Sequence, residues 1–277
     1  NQKIKILMSN EKIVLVTGCA GFVGSALCKR YLREGHKVFG IDNLNSYYDS
    51  KLKKDRLEDI NDFVAENNCK WSFYETLLED LDSCEKLFIK IKPQIVVNLA
   101  AQAGVRYSIS NPKAYFKSNM EGFFNILQLC RSNNIEHLVY ASSSSIYGSS
   151  LEYPFSENQC ANEPLSFYAA TKKSNEMMAH AFSNIYKIPM TGLRYFTVYG
   201  PWGRPDMAIF KFVSSILKNK KNIIYNKGLM NRDFTYIDDA INLTYLLIEK
   251  RIKNQKIKFE IYNISNSRPI ALLKFIK

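Results

Sequence analysis

IVLVTGCAGFVG, residues 13–24, decides the fold. An unbroken apolar run ends at Thr17, glycines follow at 18, 21 and 24, and an amphipathic stretch continues from Phe22 to Glu34. A short apolar run without polar alternation predicts a strand buried on both faces, as in a parallel sheet. Gly18 permits a tight turn, Gly21 lets the backbone approach a pyrophosphate, and Gly24 lets helix and strand pack closely. The helix opening there offers unpaired N–H groups and the positive end of its dipole. Asp42 closes the next apolar run, KVFGID (37–42), where a carboxylate can take both ribose hydroxyls of an adenosine. Turn, helix and acid together predict a dinucleotide site. The carboxylate disfavours a 2′-phosphate, so NAD is expected rather than NADP.

Moving outward, Trp71–Tyr74, QIVVNLA (94–100), HLVYASS (137–143) and MTGLRYF (190–196) read as further strands. Helical patterns cover 80–91, the region near 112–133 and a long stretch from Leu165 to Lys187. Strands alternating with helices predict an α/β fold, a Rossmann-type doubly wound parallel sheet. Phe116, Met120, Phe123, Phe124 and Leu127 recur at helical spacing and read as core or subunit packing. From Thr197 the texture changes. YGPWGRPD (199–206) is rich in turn residues, and a smaller C-terminal subdomain is expected to begin there, folded onto the first part rather than tethered to it.

The 277 residues, 46% hydrophobic and 23% charged, suit one large globular domain or two coupled ones. No run approaches the roughly 18 apolar residues of a membrane span, and the N-terminus, with its short apolar patch Ile6–Met8, shows no leader pattern. The net charge of +12 comes from lysines spread along the chain, with a modest cluster at Lys51, Lys53, Lys54 and Arg56. It reads as compositional bias rather than a nucleic-acid surface. Cys19, Cys28, Cys69, Cys84, Cys130 and Cys160 lack ligand spacing and the three histidines add little, so no metal centre and reduced thiols in a cytoplasmic protein are expected.

Two polar clusters carry chemistry. YAATK places Tyr168 and Lys172 four apart, on one face of a helix. A phenol beside an ammonium makes a proton acceptor. ASSSSIYG (141–148) ends a strand in serines, where α/β sheets bind ligands.

The glycine spacing, with Tyr168 and Lys172, resembles the extended short-chain dehydrogenases/reductases that act on sugar nucleotides. LAAQAGVRYSISNP (99–112), ASSSSIYG, PLSFYAATKKSNEMMAHAF (164–182), TGLRYFTVYGPWGRPDMAIFKF (191–212) and NRDFTYIDD (231–239) are similar to the UDP-glucuronate 4-epimerases, capsule-biosynthesis members included. The resemblance implies Ser143, Tyr168 and Lys172 as the catalytic set. Tyr168 would be the base, and Lys172 would hold the nicotinamide ribose and lower the phenol's pKa. It implies that NAD is held by Gly18, Gly21, Phe22, Val23, Gly24, Asp42, Asn43, Leu99, Ala100, Ala101, Tyr168, Lys172 and Tyr195. Ser143, Ser144, Ser145 and Thr197 would surround the sugar carboxylate, Arg204 would face it and Arg232 would meet the UDP phosphates. Related dehydratases and decarboxylases carry carboxylic acids near 144 and 145. Serines there disfavour elimination and leave epimerisation, which needs no added acid.

The implied domains are an NAD-binding domain over 1–196, rejoined by about 236–264, and the substrate subdomain over 197–235 and 265–277. Relatives continue past Lys277, with a further arginine for the UDP phosphates, so a truncated C-terminus is expected. Leu77 stands where the family commonly has an Asp for adenine. A homodimer through the helix near 112–133 and the one bearing Tyr168 is implied. Two readings remain beside the uronate one: a 4-epimerase of neutral UDP-sugars such as UDP-glucose or UDP-N-acetylglucosamine, and a non-catalytic NAD-binding protein.

Overall fold

The computed structural model describes residues 11–150, 152–221, 224, 228, 230–253 and 259–276. Ile6–Met8, Lys277 and part of the lysine-rich segment before Phe259 lie outside the described residues. The large sheet contains β1 (Ile13–Thr17), β2 (Lys37–Asp42), β3 (Trp71–Glu75), β4 (Ile95–Asn98), β5 (His137–Ser143), β6 (Met190–Tyr195) and β9 (Phe259–Ile264) in the order β3-β2-β1-β4-β5-β6-β9. Every pairing is parallel. The order reverses between β1 and β4, with Val16 opposite Val97 and Thr17 opposite Asn98. A crevice at such a switch point is where open α/β sheets bind ligands.

Successive β1 side chains point to opposite faces. Val14 and Val16 pack with Leu27 and Tyr31 of α1 (Phe22–Arg33) and with Ala240 and Ile248 of α9 (Ile237–Lys253). Leu15 packs on the other face with Phe88 of α3 (Leu81–Ile91) and Ile126 and Leu127 of α6 (Gly122–Ser132). Each fully buried aliphatic side chain contributes about 1.5–3 kcal/mol, so β1 is anchored from both sides and its C-terminal end is fixed.

The helix expected near 112–133 is present with a difference. It runs as α5 (Pro112–Tyr115), a π-helical turn (Phe116–Glu121) and α6. The apolar stripe divides accordingly. Phe123 and Leu127 are buried, whereas Phe116 and Phe124 are exposed at 57% and 41%. A helix not foreseen, α2 (Ser50–Asn67), follows β2 and is capped by the Asp49 carboxylate, which accepts from Lys51 N–H. Beyond β6 lies a small sheet of β7 (Thr197–Tyr199), β8 (Asn231–Tyr236) and β10 (Pro269–Ala271) in the order β10-β8-β7.

His137, at the N-terminal end of β5, is buried and shares a hydrogen bond of 2.9 Å with the Thr191 hydroxyl. Burial, with the nearby Arg251 charge, pushes its pKa down to about 4. Between about pH 6.5 and pH 4 the unfolded chain therefore binds the extra proton and the folded one does not. Stability is expected to be unaffected by this group above pH 6.5, to fall by roughly 3 kcal/mol as the pH drops to about 4, and then to level off. Urea midpoints measured against pH should show this acid arm flattened in His137→Gln.

Candidate active site

The glycine turn is forced by backbone proximity. Gly18 has φ +72°, and a Cβ on it would lie 2.7 Å from Ala100 N. A Cβ on Gly24 would fall 2.1 Å from the Gly18 carbonyl oxygen, and one on Gly21 2.9 Å from it. The α1 N-cap is Gly21, with no side-chain cap on the first turn. The first N–H groups of such a helix have no intrahelical partner and suit an anion. Beside the turn, the buried Thr17 hydroxyl donates to Asn98 Oδ1 at 2.6 Å and accepts from Ala100 N at 3.2 Å. That bond, with Leu99 N on the Thr17 carbonyl at 3.1 Å, joins the ends of β1 and β4. Phe22 is buried in the core, and Val23 and Ala101 are half-buried.

Asp42 is 7% exposed. Its carboxylate accepts from Ala20 N at 3.1 Å and Leu44 N at 2.9 Å, with Lys53 Nζ at 3.8 Å. Each carboxylate oxygen has further acceptor capacity. A cradle open only because its residues lack Cβ atoms, ending at an oriented carboxylate, fits a dinucleotide. Asn43 turns back to accept from Asn45 N at 3.2 Å. The Tyr195 hydroxyl pairs with Thr244 at 2.8 Å, which directs its side chain into the core. Leu77 is 51% exposed.

The helix α7 (Phe167–Tyr186) starts at Ser166, whose hydroxyl accepts from Ala169 N at 3.1 Å. This cap brings Tyr168 and Lys172 to the serine end of β5. Ser143 closes β5 and caps the short turn Ser144–Tyr147, accepting from Ser145 N at 3.2 Å. Its hydroxyl also donates to Ser145 Oγ at 3.1 Å, and it lies near enough to the Tyr168 phenol to pull its pKa down. Ser143, Ser145, Tyr168 and Lys172 are thus brought together, with Thr197 half-buried at the start of β7.

The electrostatics of the Tyr168–Lys172 pair are set mainly by burial. Burial raises the Tyr168 phenol above its ordinary value, against the downward pulls of the Ser143 hydrogen bond and the Arg204 charge. Lys172 is 4% exposed, donates to the Ala141 carbonyl at 2.8 Å, and is pushed down to about 8 by burial. Behind the serines, Arg194 holds Glu176 through both carboxylate oxygens at 2.9 and 3.0 Å, and Ser142 donates to Glu176 at 2.6 Å.

Arg204 lies in the turn after β7. It binds Asp206 through Nε at 3.0 Å and Nη2 at 2.5 Å. The Tyr47 hydroxyl donates to the same carboxylate at 3.1 Å, and burial with the Asp206 charge pushes Tyr47 up to about 12. Arg204 and Tyr168 are near enough for their charges to act on each other. A Cβ on Gly104, at φ +101°, would sit 2.7 Å from the Tyr47 hydroxyl. Arg232 stands apart on β8, exposed, donating to the Asn231 carbonyl.

Sequence reasoning missed three groups. Lys53 and Arg56, read only as part of a compositional bias, are 5% and 0% exposed. Arg56 is buried beside Ala20 and Tyr48. Tyr47 and Asp206 complete the Arg204 cluster. Asn119, inside the π turn, accepts from Gln102 N at 2.8 Å and donates to the Thr171 hydroxyl at 3.0 Å, steadying the helix beside Lys172. π turns occur often at functional sites. The available signal was an Asn on the apolar face, one turn before Phe123.

The sequence model of the NAD dependent epimerase/dehydratase family matches residues 14–265. Protein CapI of Staphylococcus aureus is 48% identical over 95% of this chain and 81% of its own length. A probable UDP-glucuronate 4-epimerase of Rhizobium meliloti is 42% identical over 95% of this chain and 80% of its own. Among solved structures, the UDP-glucuronic acid 4-epimerase of Bacillus cereus, in complex with UDP-glucuronic acid and NAD, superposes with a TM-score of 0.82 at 33% identity, covering 94% of this chain and 79% of that one.

Proposed function

The chain belongs to the NAD-dependent epimerase/dehydratase family, and we propose that it interconverts UDP-glucuronate and its C4 epimer, UDP-galacturonate. The observation that carries this reading is the guanidinium of Arg204 near enough to act on the Tyr168 phenol, with serines at 144 and 145. A planar guanidinium suits a bidentate hold on a carboxylate. Serines cannot act as the carboxylic acid that elimination requires near neutral pH.

The glycine cradle, Asp42 and Lys172 would hold NAD, which supplies a reversible hydride acceptor when bound. Tyr168 takes the proton of the sugar 4-hydroxyl as C4 is oxidised. Ser143 orients that hydroxyl and, near the Tyr168 phenol, favours the phenolate. Arg204, Ser144, Ser145 and Thr197 hold the carboxylate end while the 4-keto sugar turns its other face, and Tyr168 then returns the proton. Residues 197–235 with 265–277 serve as the substrate subdomain, and Arg232 on its β8 meets the UDP phosphates.

A homodimer through α5, α6 and α7 is part of the proposal. Phe116, Phe124, Phe167, Met177 and Ile185 leave exposed apolar surface on these helices and the π turn between the first two. Among the described residues no helix is long and apolar enough to cross a membrane. A cytoplasmic location suits the free cysteines, and a role in capsule polysaccharide supply is supported by the similarity to CapI.

The test is product analysis by NMR with added NAD. UDP-glucuronate should yield a growing anomeric signal of UDP-galacturonate that settles to a constant ratio. Turnover of UDP-glucose or UDP-N-acetylglucosamine in its place would favour the neutral-sugar reading. Arg204→Ala is expected to lower kcat/KM on UDP-glucuronate about 10- to 100-fold, the size of a lost charged hydrogen bond, with a much smaller effect on any neutral UDP-sugar. An equal loss on both would contradict the assigned role.

A further inference from the structure

We propose that Arg56 is a positioning residue that holds the Arg204 turn against the phosphate cradle, and so sets selectivity for an acidic sugar from outside the catalytic set. This inference rests on the reading of Arg204 as the carboxylate anchor. Arg56 projects from α2, and its side chain is fully buried. Its guanidinium spans three chain segments. Nη1 donates to the Ala20 carbonyl of the glycine turn at 3.0 Å and to the Tyr48 hydroxyl at 2.7 Å. Nε and Nη2 both donate to the Trp202 carbonyl, at 3.1 and 2.6 Å, and Nη2 reaches the Gly203 carbonyl at 3.4 Å. The next residue is Arg204.

The turn needs such a hold. Trp202 has φ +64°, a left-handed conformation unfavourable for a bulky side chain. Strained residues of this kind persist only where their surroundings over-determine them. Trp202 is 40% exposed, so its ring is not what fixes it. Two donors on its carbonyl oxygen are. Among the described residues, the hydrogen-bond partners of Arg56 are carbonyls and a phenol rather than a carboxylate. A buried guanidinium supplied only with neutral acceptors is costly to keep. What it gives in return is geometry, because its rigid fork reaches acceptors in several directions and a lysine ammonium cannot match that pattern. The segment between Asp42 and α2 runs the same way: Leu44 N binds Asp42, Tyr48 meets Arg56, and Tyr47 reaches Asp206 beside Arg204. The adenosine end of the cofactor cradle and the carboxylate anchor are therefore tied by one short stretch of chain and one side chain.

The experiment compares the full chain with Arg56→Lys, both loaded with NAD. It reads amide hydrogen exchange over residues 200–207 and calorimetric affinity for UDP-glucuronate and for UDP. Arg56→Lys should keep NAD and bind UDP within about twofold of the parent. It should weaken UDP-glucuronate about tenfold, raise its KM with little change in kcat, and speed exchange in the turn but not in α7. Equal weakening of UDP and UDP-glucuronate, or unchanged exchange in the turn, would overturn the proposal. If the parent itself shows no preference for UDP-glucuronate over UDP, the assignment of Arg204 fails, while exchange in the turn still decides whether Arg56 holds it. Should Arg56→Lys not fold, Tyr48→Phe, which removes one acceptor from the guanidinium, is expected to shift the same readouts by less. No shift in it would also count against the role.

Discussion

Tyr168→Phe is expected to lower kcat for epimerisation about 10²- to 10⁴-fold, the usual contribution of a positioned acid–base group. Affinity for UDP-glucuronate should change only a few-fold, because the ring stays in place and the bonds between Ser143 and Ser145 do not involve the phenol. The pocket should therefore fill and not turn over. Single-turnover measurements separate these steps, and saturating the variant with substrate should not restore the rate. A loss confined to KM would mean that Tyr168 only binds. The structure also shows what must favour the phenolate. Burial pushes the phenol up, and the opposing pulls come from Ser143 and Arg204.

The second large effect is expected on stability. Arg194→Met should cost about 3–5 kcal/mol, because it leaves the Glu176 carboxylate buried without its bidentate partner. Glu176 is 2% exposed and, among the described residues, keeps Ser142, at 2.6 Å, and Lys173, at 3.6 Å. Arg194 also donates to the Tyr147 hydroxyl at 2.9 Å and the Glu157 carbonyl at 3.2 Å, so the variant loosens the segment that closes over the serine turn. Chemical denaturation should show the loss, and Glu176→Leu added to Arg194→Met should recover much of it, since an apolar pair no longer buries a lone charge. Because Ser142 precedes Ser143, the single variant should lose activity under conditions where it is still folded. Full activity there would show that the ion pair supports the fold without steadying the site.

What was legible in the sequence shares one property: the residue type itself carries the requirement. Gly18 and Gly24 stand where any Cβ would meet backbone, and Asp42 and the Tyr168–Lys172 spacing state their chemistry directly. What escaped depends on neighbours distant in sequence. A basic residue in a helix looks solvent-facing until Ala20, Trp202 and Gly203 bring carbonyls to it, as they do for Arg56. The π turn around Asn119 leaves the apolar periodicity almost unchanged, so the stripe from Phe116 to Leu127 reads as one regular helix. The surroundings of Lys172 went the same way. Its charge was readable, but its 4% exposure and its bond to the Ala141 carbonyl come from how α7 lies on β5.

The parallel order of the seven strands has a practical consequence. Glycine turn, serines and Arg204 all gather at one rim of the sheet, while Lys12, Gln94 and Glu136 meet at the opposite rim through hydrogen bonds of their own. That far rim is the natural handle. An immobilising tether attached at Lys92, which follows α3 on the same side, would present every molecule to the solution mouth-outward, and a surface-bound preparation should keep the turnover of the free enzyme.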